Sequence, residues 1–272
     1  MKQVIQIIAM AIACYGMIVA VLYFFQEKML FFPMGQAFGN CRQMERYGAE
    51  AISSNGIRYY LKRTESAESW IIVFHGNAGN ACDRTYFFDL LTGLKSHVVL
   101  CEYPGYGGDN RKPGEKIILE QALMLVKEIK SQKIKTGNDK HLPVFLLGES
   151  LGTGVATWVS SQTPVSGLIL ISTYTAIVDV AKHHYPWLPV QYLLRHRFEA
   201  SAWASETTTP AILFHGIEDD IIPIKFARKQ VKHFRSDAEL FEIEQCGHND
   251  IVDTGKMLLK KEINRFVSAA GG

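Results

Sequence analysis

Cysteine is scarce in these 272 residues, and so is net charge of either sign. Cys14, Cys41, Cys82, Cys101 and Cys246 show neither the count nor the spacing of a disulfide framework or a zinc site. No disulfide scaffold is therefore expected, and the redox compartment stays open. A formal charge of +2 is too small for the electrostatic footprint of a nucleic-acid-binding protein. Lys127, Lys130, Lys133, Lys135 and Lys140 do cluster, but on and after a helix that packs by one face, where they read as a solvated surface. His183, His184 and His196 have no carboxylate or cysteine at metal-ligand spacing, so neither a metal nor another cofactor is expected. Repeats and low-complexity linkers are missing as well, which points to one folded domain of a size that α/β chains commonly reach.

What the chain does have is a long apolar run at its start. From Val4 to Phe25 there are 22 residues with no charge and only Gln6 as a strongly polar side chain, enough helix for about 33 Å. This predicts a transmembrane anchor over residues 1–28, with the lipid bilayer as a partner. A cleaved signal peptide competes with it, because Ala11-Ile12-Ala13 followed by Cys14 has the form of a cleavage site. Cleavage there would leave an apolar core of only seven residues and strand eleven more in the mature chain. The side of the membrane is not determined: Lys2 and the amino terminus are balanced by Lys28, Arg42 and Arg46. Met29-Leu30-Phe31-Phe32-Pro33 would lie at headgroup level, where aromatic side chains are favoured.

Beyond the run, apolar segments of strand length alternate with amphipathic ones. Strands are expected over Ile57–Arg63, Trp70–Phe74, Val98–Glu102, Pro143–Leu147, Gly167–Ile171, Ala211–Phe214 and Leu240–Ile243, with helices over Cys82–Leu94, about Pro113–Ser131 and Thr153–Val159. Such alternation implies an α/β fold with a mostly parallel central sheet covered by helices on both faces.

One turn in this series carries chemistry. Gly148-Glu149-Ser150-Leu151-Gly152 joins an apolar strand to a helix, and a strand that turns sharply around Gly-x-Ser-x-Gly strains its serine and exposes the hydroxyl. Further on, Ala211–Phe214 runs into His215-Gly216-Ile217-Glu218-Asp219-Asp220, and Leu240–Ile243 is followed by Gln245-Cys246-Gly247-His248-Asn249-Asp250. Ser150 as nucleophile, Asp219 as acid and His248 as base then follow strand ends in the order Ser, Asp, His, where open α/β sheets carry their sites. Glu218 or Asp220 could replace Asp219 if the loop register differs, and Asp179 is a further alternative. Cys246 lies two residues from His248, but nothing around it resembles a nucleophile turn.

Together with His75-Gly76-Asn77-Ala78-Gly79-Asn80 and Glu102-Tyr103-Pro104-Gly105-Tyr106-Gly107, these motifs resemble the compact, membrane-associated α/β-hydrolase-domain serine hydrolases, a group that includes protein depalmitoylases and bud-emergence-type hydrolases. The resemblance runs from about Leu30 to the C-terminus. It implies an α/β-hydrolase catalytic domain over 29–272, with a short cap at about 173–209, and an acyl-enzyme mechanism. The oxyanion hole would be built from the backbone of Leu151 and Asn77, with His75 organising that turn through hydrogen bonds. Glu149 either shapes the pocket or is simply the variable position of the motif. The apolar, proline-broken stretch Tyr185–Leu194 either roofs an acyl groove or is an ordinary crossover segment. A short cap favours carboxylic esters or thioesters, fatty-acyl ones first, over peptides. A peptidase or amidase, and a non-catalytic binding protein of the same fold, are the alternatives.

Overall fold

The structure, a computed structural model, describes residues 1–131 and 141–269; Lys133, Lys135 and Lys140 of the lysine cluster lie outside the described residues. Ten strands occur among the described residues: β1 (Phe32–Pro33), β2 (Ala49–Ser54), β3 (Ile57–Lys62), β4 (Ser69–Phe74), β5 (Ala78–Gly79), β6 (Ser96–Glu102), β7 (Val144–Glu149), β8 (Gly167–Ile171), β9 (Ala211–Gly216) and β10 (Ala238–Ile243). Eight of them form one sheet in the order β10-β9-β8-β7-β4-β6-β3-β2. Neighbours from β10 to β6 run parallel, and β3 and β2 close one edge antiparallel. The middle strands β4, β6, β7, β8 and β9 are buried along almost their whole length, as continuous apolar runs in a doubly covered parallel sheet should be.

Two apolar layers result. On one face, Ile118, Leu125 and Val126 of the helix Glu115–Lys130 and Leu151, Val155 and Val159 of the helix Leu151–Gln162 pack on Ile72, Phe74 and Leu146. On the other, Phe87 and Phe88 join Leu259, Ile263 and Val267 of the C-terminal helix against Val73, Leu147 and Ile169. Two local readings differ from expectation. The segment Cys82–Leu94 is a 3-10 turn, Ala81–Arg84, followed by a five-residue helix, Tyr86–Leu90, because Asn80 and Asp83 cap each other's backbone and set off the first turn separately. The edge strand β2 was not anticipated. Its Ala-Glu-Ala-Ile-Ser-Ser sequence is mostly exposed, so it lacks a buried face to betray it.

The cysteines require a correction. Cys41 and Cys82, which the spacing of the cysteines does not pair, form a disulfide across 41 residues of sequence, with Cα atoms 5.8 Å apart. A single bond between distant cysteines has no spacing signature, so only the fold could bring the pair together. For a loop of this length chain entropy gives roughly 4 kcal/mol of stabilisation. Reductant is therefore expected to lower the unfolding midpoint of the wild type and to leave that of Cys41→Ser unaffected; equal midpoints for the wild type with and without reductant would show the bond is not formed.

The N-terminal helix, Lys2–Leu30, is long and apolar enough to cross a membrane. It does not stand apart from the domain. Val19 and Leu22 pack on Ala176, Val178, Leu188 and Val190 of the segment between β8 and β9. At the helix end Gln26 is buried, its Nε2 donating to the Leu193 carbonyl (3.1 Å) and its Oε1 accepting from Arg195 N–H (2.8 Å).

Candidate active site

Ser150 occupies the turn from β7 into the helix Leu151–Gln162, with φ 51° and ψ −119°. That left-handed conformation is strained for a side-chain-bearing residue, and the surroundings hold it in place. Its N–H donates to the Ile171 carbonyl at 2.8 Å. The flanking glycines are obligatory: a Cβ on Gly148 would sit 2.4 Å from the Gly152 carbonyl oxygen, and one on Gly152 would sit 2.0 Å from that of Phe74. The sheet and helix thus pack directly onto the turn, leaving the serine side chain partly exposed.

His248 and Asp219 come to this serine from the loops after β10 and β9. His248 Nε2 is 3.0 Å from Ser150 Oγ, and His248 Nδ1 is 2.7 Å from Asp219 Oδ2. A carboxylate can only accept, so Nδ1 donates and Nε2 is left to accept the serine proton. Asp219 is buried while Glu218 and Asp220 beside it are exposed, which decides the register of the loop. Asp179 accepts a hydrogen bond from Thr175 Oγ1 at 2.5 Å, on the helix Ile177–His184. Cys246 is buried, and burial pushes its thiol up to about 11, which keeps it protonated at neutral pH.

The second oxygen of Asp219 accepts from the N–H groups of Ile221 (3.0 Å) and Ile222 (2.7 Å). A partner that the sequence reading passed over is His215. Its Nε2 lies 2.7 Å from the Ile222 carbonyl and 3.2 Å from Asp219 Oδ2, so it faces two acceptors and carries the proton. Burial acts to raise the pKa of Asp219, but the hydrogen bonds from His215 and His248 outweigh it and hold the carboxyl well below its usual range. Only the spacing of four residues between His215 and Asp219 across a strand end hinted at this contact.

The turn after β4 lies against the serine: a Cβ on Gly76 would be 3.4 Å from that of Ser150. Tyr103 Oη donates to the His75 carbonyl (2.9 Å) and Tyr106 Oη to the Asn77 carbonyl (2.7 Å), so the glycine-rich segment after β6 braces this turn. His75 is buried, its Nδ1 donating to the Gly76 carbonyl at 2.7 Å. Burial, reinforced by the Arg84 charge, lowers its pKa to about 3, so the ring is neutral. Glu149 is bound by Arg84 Nε at 2.6 Å and by the Tyr86 hydroxyl, while Arg84 Nη2 reaches the Ala78 carbonyl at 2.8 Å. The variable residue of the motif thus ties the nucleophile turn to the turn carrying Asn77. That turn is also fastened to the end of the N-terminal helix: Asn77 Nδ2 donates to the Leu30 carbonyl at 3.0 Å, Phe32 N–H to the Asn77 carbonyl at 3.0 Å, and β1 pairs with β5. The three histidines between β8 and β9 have other partners: His183 meets Lys225, His184 the Ile221 carbonyl, and His196 the Glu115 N–H.

An imidazole between a strained serine and a buried carboxylate can remove the serine proton as the oxygen attacks an acyl carbon. The family described as serine aminopeptidase, S33, matches residues 65–196. An uncharacterised protein of Mycobacterium tuberculosis (strain ATCC 25618 / H37Rv) is 27% identical over 89% of this chain and 87% of its own. The lysophosphatidylserine lipase ABHD12 of Danio rerio is 29% identical over 63% of this chain; the match spans about half of that relative, 48%. Among solved structures, the monoacylglycerol lipase of Paleococcus ferrophilus superposes with a TM-score of 0.59 at 19% identity, covering 78% of this chain and 98% of its own. With its sheet order, its serine turn and these similarities, the chain is a serine hydrolase with the α/β-hydrolase fold.

Proposed function

We propose that this chain is a membrane-anchored esterase of the lipase type that cleaves carboxylic esters or thioesters of fatty acids through an acyl-enzyme on Ser150. The observation that carries the proposal is the unbroken relay from Ser150 Oγ through His248 to Asp219, at 3.0 and 2.7 Å. In this reading Ser150 attacks the acyl carbonyl while His248 takes its proton. The developing oxyanion is met by the backbone N–H groups of Leu151 and Asn77. His248 then protonates the leaving alcohol or thiol, and water attacks the acyl-enzyme with His248 again as base. Asp219 keeps the imidazole in the productive tautomer and stabilises the imidazolium.

The choice of substrate rests on the lipases among the similar proteins and on the apolar N-terminal helix beside the site. The Cys41–Cys82 bond favours an oxidising compartment for the catalytic domain, and hence the non-cytosolic face of the membrane. An aminopeptidase, the activity in the matched family's description, is the competing chemistry. Turnover of a panel of acyl esters and thioesters of increasing chain length, beside aminoacyl amides, separates the two. Hydrolysis that rises with acyl length and spares the amides is expected; release of amines with no ester turnover would overturn the proposal.

A further inference from the structure

The segment Tyr185-Pro186-Trp187-Leu188-Pro189-Val190-Gln191-Tyr192-Leu193-Leu194 has ten residues and no charge. It lies outside the two layers of the main core. Leu188 and Val190 turn inward onto Val19 and Leu22 of the N-terminal helix, whereas Tyr185, Trp187 and Tyr192 are 43%, 55% and 83% exposed. Much of its backbone is paired within the protein. Tyr185, Leu188, Val190, Tyr192 and Leu194 donate to carbonyls of the same segment or of the helix before it, and Pro186 and Pro189 carry no N–H. The carbonyls of Trp187, Gln191 and Leu193 accept from Tyr15, Arg197 and Gln26. Internal satisfaction of backbone groups is the requirement that hydrocarbon imposes on any chain it surrounds.

The contact with Tyr15 sets the depth. Tyr15 Oη donates to the Trp187 carbonyl at 3.0 Å, and the two rings meet edge to face at 6.4 Å. Tyr15 is at the middle of the charge-free run Val4–Phe25. If the hydrocarbon slab, about 30 Å thick, covers that run, it covers Trp187 with it. If it ended short of Tyr15, the remaining eleven residues, Val4 to Cys14, would supply only about 16 Å of helix, too little to span. Basic groups bracket the uncharged segment, with Lys182, His183 and His184 before it and Arg195, His196 and Arg197 after it, as is suited to the interface on either side of an inserted loop.

We infer that Tyr185–Leu194 is a second membrane-inserted element, seated in the acyl-chain region of the leaflet next to the catalytic domain and held there against the N-terminal helix. This rests on reading that helix as a membrane span. The surface continues toward the site: Ile221, 45% exposed, offers its carbonyl to His184 just before the segment, and its own N–H binds Asp219. Acyl chains would then reach the serine from the leaflet, without a passage through water.

The test is quenching of tryptophan emission in the full chain reconstituted into phosphatidylcholine vesicles brominated midway along their acyl chains, after an alkaline carbonate wash. Of the four tryptophans, Trp187 is the exposed one. The wild type is expected to lose the share of its emission that Trp187→Phe removes, and Trp187→Phe itself to be insensitive to bromine. Tyr192→Glu, a change at a position that packs on little, is expected to lessen the quenching of Trp187. Protein retained after the wash with Trp187 unquenched would overturn the inserted segment while leaving the anchor standing. Protein stripped by carbonate would overturn the anchor itself, and the inference with it.

Discussion

Ser150→Ala is expected to reduce acyl-ester turnover by a factor on the order of 10⁶ in kcat and to abolish labelling by a fluorophosphonate probe, without loss of stability. The size of the effect follows from what remains in the variant. His248 and Asp219 keep their 2.7 Å contact, but no oxygen stands at the end of the relay, so the difficult acyl transfer cannot be divided into two easier steps. Fold and serine are separable here because the strain at φ 51° belongs to the backbone: alanine carries the same Cβ into the same conformation, and the partly exposed hydroxyl holds up no packing. The comparison is made by probe labelling, ester kinetics and thermal melting on the same membrane preparations. A variant that kept its labelling would move the nucleophile elsewhere.

The parts of this site that could be read from sequence are those where chemistry forces a local pattern. The serine turn needs glycines because backbone atoms of its neighbours approach within 2.4 Å of where a side chain would begin, and that crowding leaves Gly148 and Gly152 as a signature. The parallel strands announce themselves as apolar runs because both their faces are covered. His215, the Cys41–Cys82 bond and the brace from Arg84 to Glu149 leave no such trace. Each joins residues whose meeting depends on how the sheet stacks. The edge strand β2 escaped for the opposite reason, since a strand exposed on its outer side is under little pressure to alternate.

The N-terminal helix shows the same division. Its length and its charge-free run Val4–Phe25 are plain in the sequence, but its packing is not. Phe31, immediately after it, is 3% exposed and meets His196 and Phe198 edge to face, and the next residues form β1 against β5. A tether would need none of these contacts. The helix end is part of the scaffold that positions Asn77, so the end of this apolar helix and the turn proposed to bind the oxyanion form one continuous structure.

Asp219→Asn is expected to lower kcat by about 10⁴ while Asp179→Asn stays near the wild type, and the local hydrogen bonds explain why an isosteric change does so much. Asp219 Oδ1 accepts from two backbone donors, the N–H groups of Ile221 and Ile222. In an asparagine the amide oxygen must take that place, because an NH₂ group there would confront two N–H groups. The NH₂ then faces His248 Nδ1 and His215 Nε2. Facing a donor, His248 Nδ1 is forced to accept, its proton moves to Nε2, and the nitrogen 3.0 Å from Ser150 Oγ can no longer receive the serine proton. At His215, where two acceptors now hold the Nε2 proton, the substitution leaves a donor against a donor and costs stability as well. That cost has a pH signature. The carboxyl of Asp219 is held below its usual range, so its stabilisation is present above the unfolded pKa of about 3.9 and is lost as pH falls through the depressed folded value. The stability gap between wild type and Asp219→Asn is therefore expected to be full at neutral pH and to narrow only in strong acid. Kinetics of both aspartate variants at fixed pH, with melting curves across the acid range, check the two halves together. Near-normal turnover in Asp219→Asn with its loss in Asp179→Asn would transfer the acid's role to the helix Ile177–His184.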